Sequence, residues 1–324
     1  MPRINLTRRS MILSALCAPA IPAWANTNRP PLRLLIPADP GSGLDTFARI
    51  IQPELTNALG QTVVIENSAS AGGTVSTSRL VRSAPDGNTV SLVSNNHVVN
   101  PSIYPKLPYD ALDDITPISL LGTLPLVLVA TPNLPVNNAK ELAGYINAQP
   151  AGSQNFASSG HGTIIHLVGQ MFVDSAKMDI VHVPYNGVSP QMQAIANGEA
   201  QFGVVALPAV QGFLDSGMVR AVALTGRPSV PNLPGILPLA DSGFDDIDVS
   251  AWFTLIGPAK LPTSEVSRLV EGFRSAVSVP KVKEALARQQ NIINPGSAED
   301  AAKFLRAEHD RYADIVKSAG IKPE

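Results

Sequence analysis

From Leu32 onward, short apolar runs alternate with stretches of helical periodicity, and this alternation restricts the possible folds more than any other feature of the chain. "LRLLIP" precedes "LDTFARIIQPELTNAL", in which Phe47, Ile50, Ile51, Leu55 and Leu59 recur at three- and four-residue steps. "QTVVIEN", the helix candidate "GGTVSTSRLVRSA", the turn Pro85–Gly87 and the strand "NTVSLVS" follow. This βαβαβ order is the pattern of a parallel sheet covered by helices. A proline-rich stretch from Pro101 to Pro117 separates it from a second set. There "LPLVLVA", "QNFASS", "DIVHVPY", "AQFGVVA" and "VRAVALTG" read as strands. "NAKELAGYINA", "TIIHLVGQMFVDSA" and "SPQMQAIANG" read as helices. "AWFTLIGP" is one more strand, and "SEVSRLVEGFRSAV" and "AEDAAKFLRAEHDRYADIVKSA" predict two amphipathic helices at the end. A chain of 324 residues with 44% hydrophobic content can bury two such cores.

The first residues have a different character. Arg3, Arg8 and Arg9 precede the apolar stretch Met11–Leu16, and Ala23-Trp24-Ala25 has the small-x-small form of a cleavage site. Residues 1–25 are therefore expected to be an export signal, with "TRRSMIL" leaving the general and twin-arginine routes both open. Without them, Lys+Arg falls from 24 to 21 against 26 Asp+Glu, a net charge of −5, and the one cysteine, Cys17, is also removed. The expected mature protein has no disulfide and no thiolate chemistry. Its mild acidity and lack of basic runs argue against a nucleic-acid partner or an anionic membrane surface.

Motifs for catalysis are weak throughout. Gly41-Ser42-Gly43 follows a strand, and Glu66 stands where a ribose-binding acid would stand, as in a dinucleotide fold. The third glycine position, however, holds Thr46, and Asp39 would set a negative charge near the pyrophosphate. His161 and His166 are five apart, not the four that puts two metal ligands on one helix face. "FASSGHG" lacks the leading glycine of a serine-hydrolase elbow. No metal, cofactor or catalytic residue is assigned.

A repeated loop chemistry is stronger. "GSGLD", "SAGGT", "SSGHGT" and "NGVSP" each join a strand to a helix through small residues. Their hydroxyls and backbone N–H groups can hold an anion without a cation nearby. Two belong to the first αβ set and two to the second, which predicts an anionic ligand held between them.

"PADPGSGLDTFARIIQPEL", "ENSASAGGTVSTSRLVRSAPDGNT", "NHVVNPSIYPKLPYD", "FASSGHGTIIHLVGQMF", "VHVPYNGVSPQMQAIANGEAQF" and "RAVALTGRPSVPNLP", taken in order, resemble the Bug/TctC family of extracytoplasmic solute receptors. The resemblance covers essentially the whole chain beyond the leader. It implies an α/β, two-domain type II periplasmic-binding-protein fold with the ligand cleft between domains. Residues 26–125 and 249–324 would form domain 1 and residues 126–248 domain 2. The chain would cross near Leu124–Val129 and return near Val249–Phe253. The implied role is a monomeric periplasmic, non-enzymatic receptor for a small carboxylate, working with the membrane components of a tripartite tricarboxylate-type transporter. An exported dinucleotide-dependent oxidoreductase is the alternative left open.

Carried over by position, Gly43, Leu44 and Asp45 match the family's cleft loop in the first domain, and Ser94, Asn95 and Asn96 the polar end of the third strand. Ser158, Ser159, Gly160, Gly162 and Thr163 match the loop taken to grip the carboxylate. Two departures from the resemblance follow: Val205 and Ala206 stand where the family often has Asp-Asn, and Asn186 where it often has a lysine between Tyr185 and Gly187. The first removes a carboxylate that could pair with a ligand ammonium, so an aliphatic or aromatic acid without an ammonium group is expected.

Overall fold

The protein is described by a computed structural model covering residues 29–68, 71–227, 230 and 233–318. The leader expected over residues 1–25 lies outside the described residues. Two mixed sheets carry the structure. The first contains β1 (Leu32–Ile36), β2 (Val63–Asn67), β3 (Thr89–Val93), β4 (Ile115–Leu124), β10 (Ala251–Pro258) and β11 (Ile292–Ile293), in the order β11-β4-β10-β3-β1-β2. The second contains β5 (Leu126–Ala130), β6 (Asn155–Ser158), β7 (Val181–Pro184), β8 (Phe202–Ala206) and β9 (Arg220–Leu224), in the order β7-β6-β8-β5-β9.

The two sheets are built alike. In each, three strands run parallel (β2-β1-β3 and β7-β6-β8), and an antiparallel strand, β10 or β5, lies beside them. Central strands β3, β5 and β10 are buried along their whole length, which is why they read as continuous apolar runs rather than alternating ones. Edge strands β2 and β7 carry polar, partly exposed residues, as a sheet border in water requires.

Helices α1 (Gly43–Leu59), α2 (Thr74–Val81), α3 (Asn96–Ile103), α8 (Thr263–Ser278), α9 (Pro280–Arg288) and α10 (Ala298–Ser318) accompany the first sheet. α4 (Ala139–Asn147), α5 (Ile164–Ser175), α6 (Val188–Asn197) and α7 (Leu207–Asp215) accompany the second. Helix α1 starts at a Ser42 cap, ends at the left-handed Gly60, and buries Phe47, Ile51 and Leu55 at four-residue steps. Phe47 stacks at 4.4 Å on Phe253, tying α1 to the return strand β10.

The structure differs from the sequence reading in several places, the short strand β11 among them. Pro101–Pro117 is not a plain linker: it contains the end of α3 and the start of β4. "LPLVLVA" is split, with Leu124 closing β4 in one sheet and Leu126 opening β5 in the other. α7 and α9 were absent from the reading, and both begin with an Xaa-Pro step that looked like a loop but serves as a helix start.

Asn95 joins three distant segments. Its fully buried amide donates to Tyr312 Oη at 2.7 Å and to Ser250 O at 3.2 Å, while its Oδ1 accepts from Trp252 N–H at 3.2 Å. Trp252 Nε1 in turn donates to Glu308 Oε2 at 2.8 Å, so α10 is fastened over β10. Asn95→Ala would leave these groups buried without partners. Urea unfolding should then show a loss of about 3 kcal/mol; a loss below about 1 kcal/mol would mean that Asn95 does not fasten the helix.

Candidate functional site

The parallel strands of each sheet end at loops that face those of the other sheet, the position where open α/β sheets bind ligands. A cavity of about 190 Å³ lies there. Drug-sized sites are roughly 300–1,000 Å³, so this one suits a small molecule. Its walls come from all four small-residue loops. From the first sheet come Ala38, Asp39, Ser42 and Gly72, with Asn96 and Tyr104 from the ends of α3. From the second come Ser159 to His161, Thr163, and Tyr185 to Val188. Among the described lining residues there is no lysine or arginine, and Asp39 is the one carboxylate.

The loops hold their shape through their own polar groups. Ser42 Oγ caps α1 by accepting from Asp45 N–H at 3.3 Å. The buried Asp45 carboxylate accepts from Gly41 N–H at 2.8 Å, Arg49 Nε at 2.9 Å and Asn67 Nδ2 at 3.0 Å. Burial alone would raise its pKa, but the bonds from Arg49, Gly41 and Asn67 outweigh that and hold it below the usual carboxylate range. On the opposite side Thr163 Oγ1 donates to Gly160 O at 2.8 Å and caps α5 by accepting from His166 N–H at 3.3 Å.

Behind this second loop, three imidazoles gather. His166 and His182 stack with ring centroids 3.7 Å apart, and His161, which lines the cavity, lies 5.0 Å from His166. His166 Nδ1 accepts from Gly162 N–H at 3.1 Å, and His182 Nε2 is 2.7 Å from Ser158 Oγ. Burial first, and the neighbouring imidazoles second, push His166 down to about 3 and His182 to about 4. Both are therefore neutral at neutral pH and shape the loop by hydrogen bonding. Among the described residues no group of three His, Cys, Asp or Glu side chains is placed to hold a metal ion. The sequence offered only the five-residue spacing of His161 and His166; the arrival of His182 from β7 is a product of the fold.

Contacts across the cavity show the two sides drawn together. Ile164 N–H, at the start of α5, donates to Asn96 Oδ1 at 2.7 Å. Gly162 (φ +68) lies so close to Ile103 that an added methyl would overlap it. Gly187 (φ +106) leaves space for the Asp39 carboxylate, which accepts from Val188 N–H at the start of α6.

Of the residues expected from sequence, Asn96, Ser159, Gly160 and Thr163 meet at the cavity. Asp45, Ser158 and Gly162 shape its loops from behind through the bonds above. Ser94 contributes its carbonyl to His97 N–H, Asn95 is committed to Tyr312, and Leu44 packs in the core. Gly43 sits against Ala206 and Leu124, while Val205 is fully buried in the second core. Val205 and Ala206 thus do not line this cavity. Asp39, Tyr104, His161 and Asn186 do, and none had been singled out as a ligand residue, although Asp39 and His161 lie within motifs already noted. Glu66, the acid of the dinucleotide alternative, is taken up by Arg33 at 2.6 Å and Arg79 at 2.9 Å.

The described chain matches the model of the tripartite tricarboxylate transporter receptor family over residues 47–321. It is 30% identical to the protein BugT of Bordetella pertussis, over 98% of this chain and 99% of that one. The structure superposes with a TM-score of 0.86 on the periplasmic binding protein BugD, at 28% identity, covering 91% of this chain and 99% of the other. The same score, at 27% identity and covering 91% and 98%, relates it to the R. palustris protein Rpa4515 with adipate. The fold is that of periplasmic binding proteins.

The buried imidazoles give the fold an acid-side weakness. His166 is neutral when folded, whereas in the unfolded chain it takes a proton near pH 6.5. Stability should therefore be full above about pH 6.5 and fall as pH drops toward the folded-state value. In urea unfolding between pH 6 and 4, His166→Gln should lower the slope by about one proton, or about 1.4 kcal/mol per pH unit. An unchanged slope would show that His166 is not held neutral.

Proposed function

The chain belongs to the tripartite tricarboxylate transporter receptor family, and from that premise we propose that it captures one small organic carboxylate in the cavity between its two sheets. Members of this family are periplasmic solute receptors. Here the reading is of a monomeric receptor without catalysis, exported by residues 1–25, that hands its ligand to the membrane components of a tripartite tricarboxylate-type transporter. The observation that carries it is the convergence of four strand-to-helix loops, two from each sheet, on a single small cavity without a lysine or arginine among its described walls. Helix starts and hydroxyls offer a carboxylate hydrogen bonds and partial positive charge. A phosphate dianion or a nucleotide would ask for cations and room.

Residues 26–125 and 249–324 would move as one body against residues 126–248, opening and closing the cavity. Ligand favours the closed form because it touches both sides, so binding shifts an equilibrium rather than creating a new shape. The expectation of a ligand lacking an ammonium group rested on Val205 and Ala206. Neither lines the cavity, so that argument does not bear on ligand choice here.

A thermal-shift screen of mono- and dicarboxylates should find a ligand that, at about 100 times its Kd, adds roughly 2.7 kcal/mol of stability. Small-angle scattering with that ligand should show a smaller radius of gyration. No stabilisation by any carboxylate would overturn the reading of a carboxylate receptor, and equal radii with saturating ligand would overturn closure.

Closure has its own variant. Gly162→Ala places a methyl into Ile103 across the cavity, in a left-handed conformation that costs about 1–2 kcal/mol even without the clash. It should weaken binding at least tenfold by calorimetry and keep the scattering radius at its ligand-free value. Full affinity would show that the Gly162–Ile103 approach is not part of the closed state.

A further inference from the structure

Resting on the receptor reading above, we infer that Asp39 is a specificity-determining residue that selects ligands carrying a cationic group at the end remote from their carboxylate, and rejects dicarboxylates.

Three observations support this. First, the cavity's fixed charge is negative. Asp39 is the one carboxylate among the described lining residues, no lysine or arginine accompanies it there, and no charged group among the described residues acts on it. A second ligand carboxylate in so small a space would lie within a few ångströms of Asp39 and be repelled by it. An ammonium in the same place would meet its counter-ion.

Second, the carboxylate is held rather than free to swing into solvent. It stems from the loop between β1 and α1, reaches across the cavity into the space left by Gly187, and accepts from Val188 N–H at the first turn of α6. Val188 can serve only part of a carboxylate that has about four acceptor sites, so Asp39 retains capacity to bind a cation. Burial raises its pKa, the Val188 N–H opposing this only in part, as expected of a charge not yet fully compensated.

Third, three polar side chains near it are already committed, and none of the polar lining residues beside it is a second carboxylate. Asn96 Oδ1 serves Ile164 N–H, Ser42 Oγ serves Asp45 N–H, and Thr163 Oγ1 joins Gly160 O to His166 N–H. Asp39 is thus the strongest acceptor left to a ligand cation, while the loop opposite retains the helix-start field for the ligand carboxylate.

The test compares ligands of equal length: malonate, succinate, glutarate and adipate against 3-aminopropanoate, 4-aminobutanoate, 5-aminopentanoate and 6-aminohexanoate. With calorimetry at pH 7, the amino acid of the best-bound length should bind at least tenfold more tightly than its dicarboxylate. Asp39→Asn keeps the shape and the acceptor for Val188 N–H, and it should reduce that preference to less than threefold. A dicarboxylate bound as tightly as its amino counterpart by the unaltered protein, or a preference that survives Asp39→Asn, overturns the inference while leaving the receptor reading intact. If Asp39→Asn does not fold, the comparison on the unaltered protein decides alone. Binding only to monocarboxylates without an amino group would also overturn it. No binding to any carboxylate, in this series or in the thermal-shift screen, would remove the receptor reading and this inference together.

Discussion

Between Leu124 and Leu126 the chain leaves one sheet for the other, and it comes back between Leu224 and Ala251 along its own outward path. The two paths are hydrogen-bonded to each other. Leu124 pairs with Ala251, Thr225 N–H donates to Leu126 O at 3.1 Å, and Val249 N–H donates to Thr225 O at 2.8 Å. Thr225 Oγ1 adds a bond to Val249 O at 2.6 Å. A single crossing would let one sheet swivel freely about the other. Two paired crossings allow bending but resist twisting, which keeps the loops at the ends of the parallel strands facing the same partners. The proposed binding between the sheets would depend on that restriction. The same pairing gives each sheet its antiparallel strand, β10 in the first and β5 in the second, so neither core is complete without both crossings.

Across the cavity the two sides also meet through short polar contacts. Asn96 reaches the start of α5 and Asp39 the start of α6, each placing an oxygen from the first sheet's side on a helix start belonging to the second. A helix start is a fixed partial positive charge, and an acceptor from across the cavity competes for it with water when the cleft opens. Such contacts are individually modest, about 1 kcal/mol net. In the proposed closing motion, contacts of this size would hold a closed form near balance with an open one, which would leave a ligand able to decide between them.

The frame was legible in the sequence because apolar periodicity reports burial directly. β1, β3, β6, β8 and β10 and the helices α1, α5 and α10 stand where the runs and the three-to-four spacing put them. The losses have physical causes. Pro208 and Pro280 look like breakers, yet in a helix's first turn a missing N–H costs nothing, so the sequence pattern leaves α7 and α9 unmarked. β4 carries Pro117 and Gly122 inside it, tolerated where its ladder with β10 slips register. At the site, the four loops were found because small residues before a helix are a chemical signature. The direction of individual side chains was not, since neighbouring residues point apart, on opposite faces of a strand and about 100° apart around a helix start. Val205, on β8, points into the second core, and Asn95, at the start of α3 one residue before Asn96, turns away from the cavity toward Tyr312.

Divergence within one frame follows from this division. At 28% identity the superposition with BugD remains at a TM-score of 0.86, because buried strands can exchange one aliphatic residue for another while the crossings and loop starts stay in place. A change alters ligand choice only where the backbone sends its side chain into the cavity. Val205 is buried in the second core and Ala206 packs against the start of α1, so changes there adjust packing. Asn186 lies in the cavity wall beside Gly187, which faces Asp39. The loop between β7 and α6 and the loop between β1 and α1 therefore share one wall of the cavity, and a change in either is felt by the other.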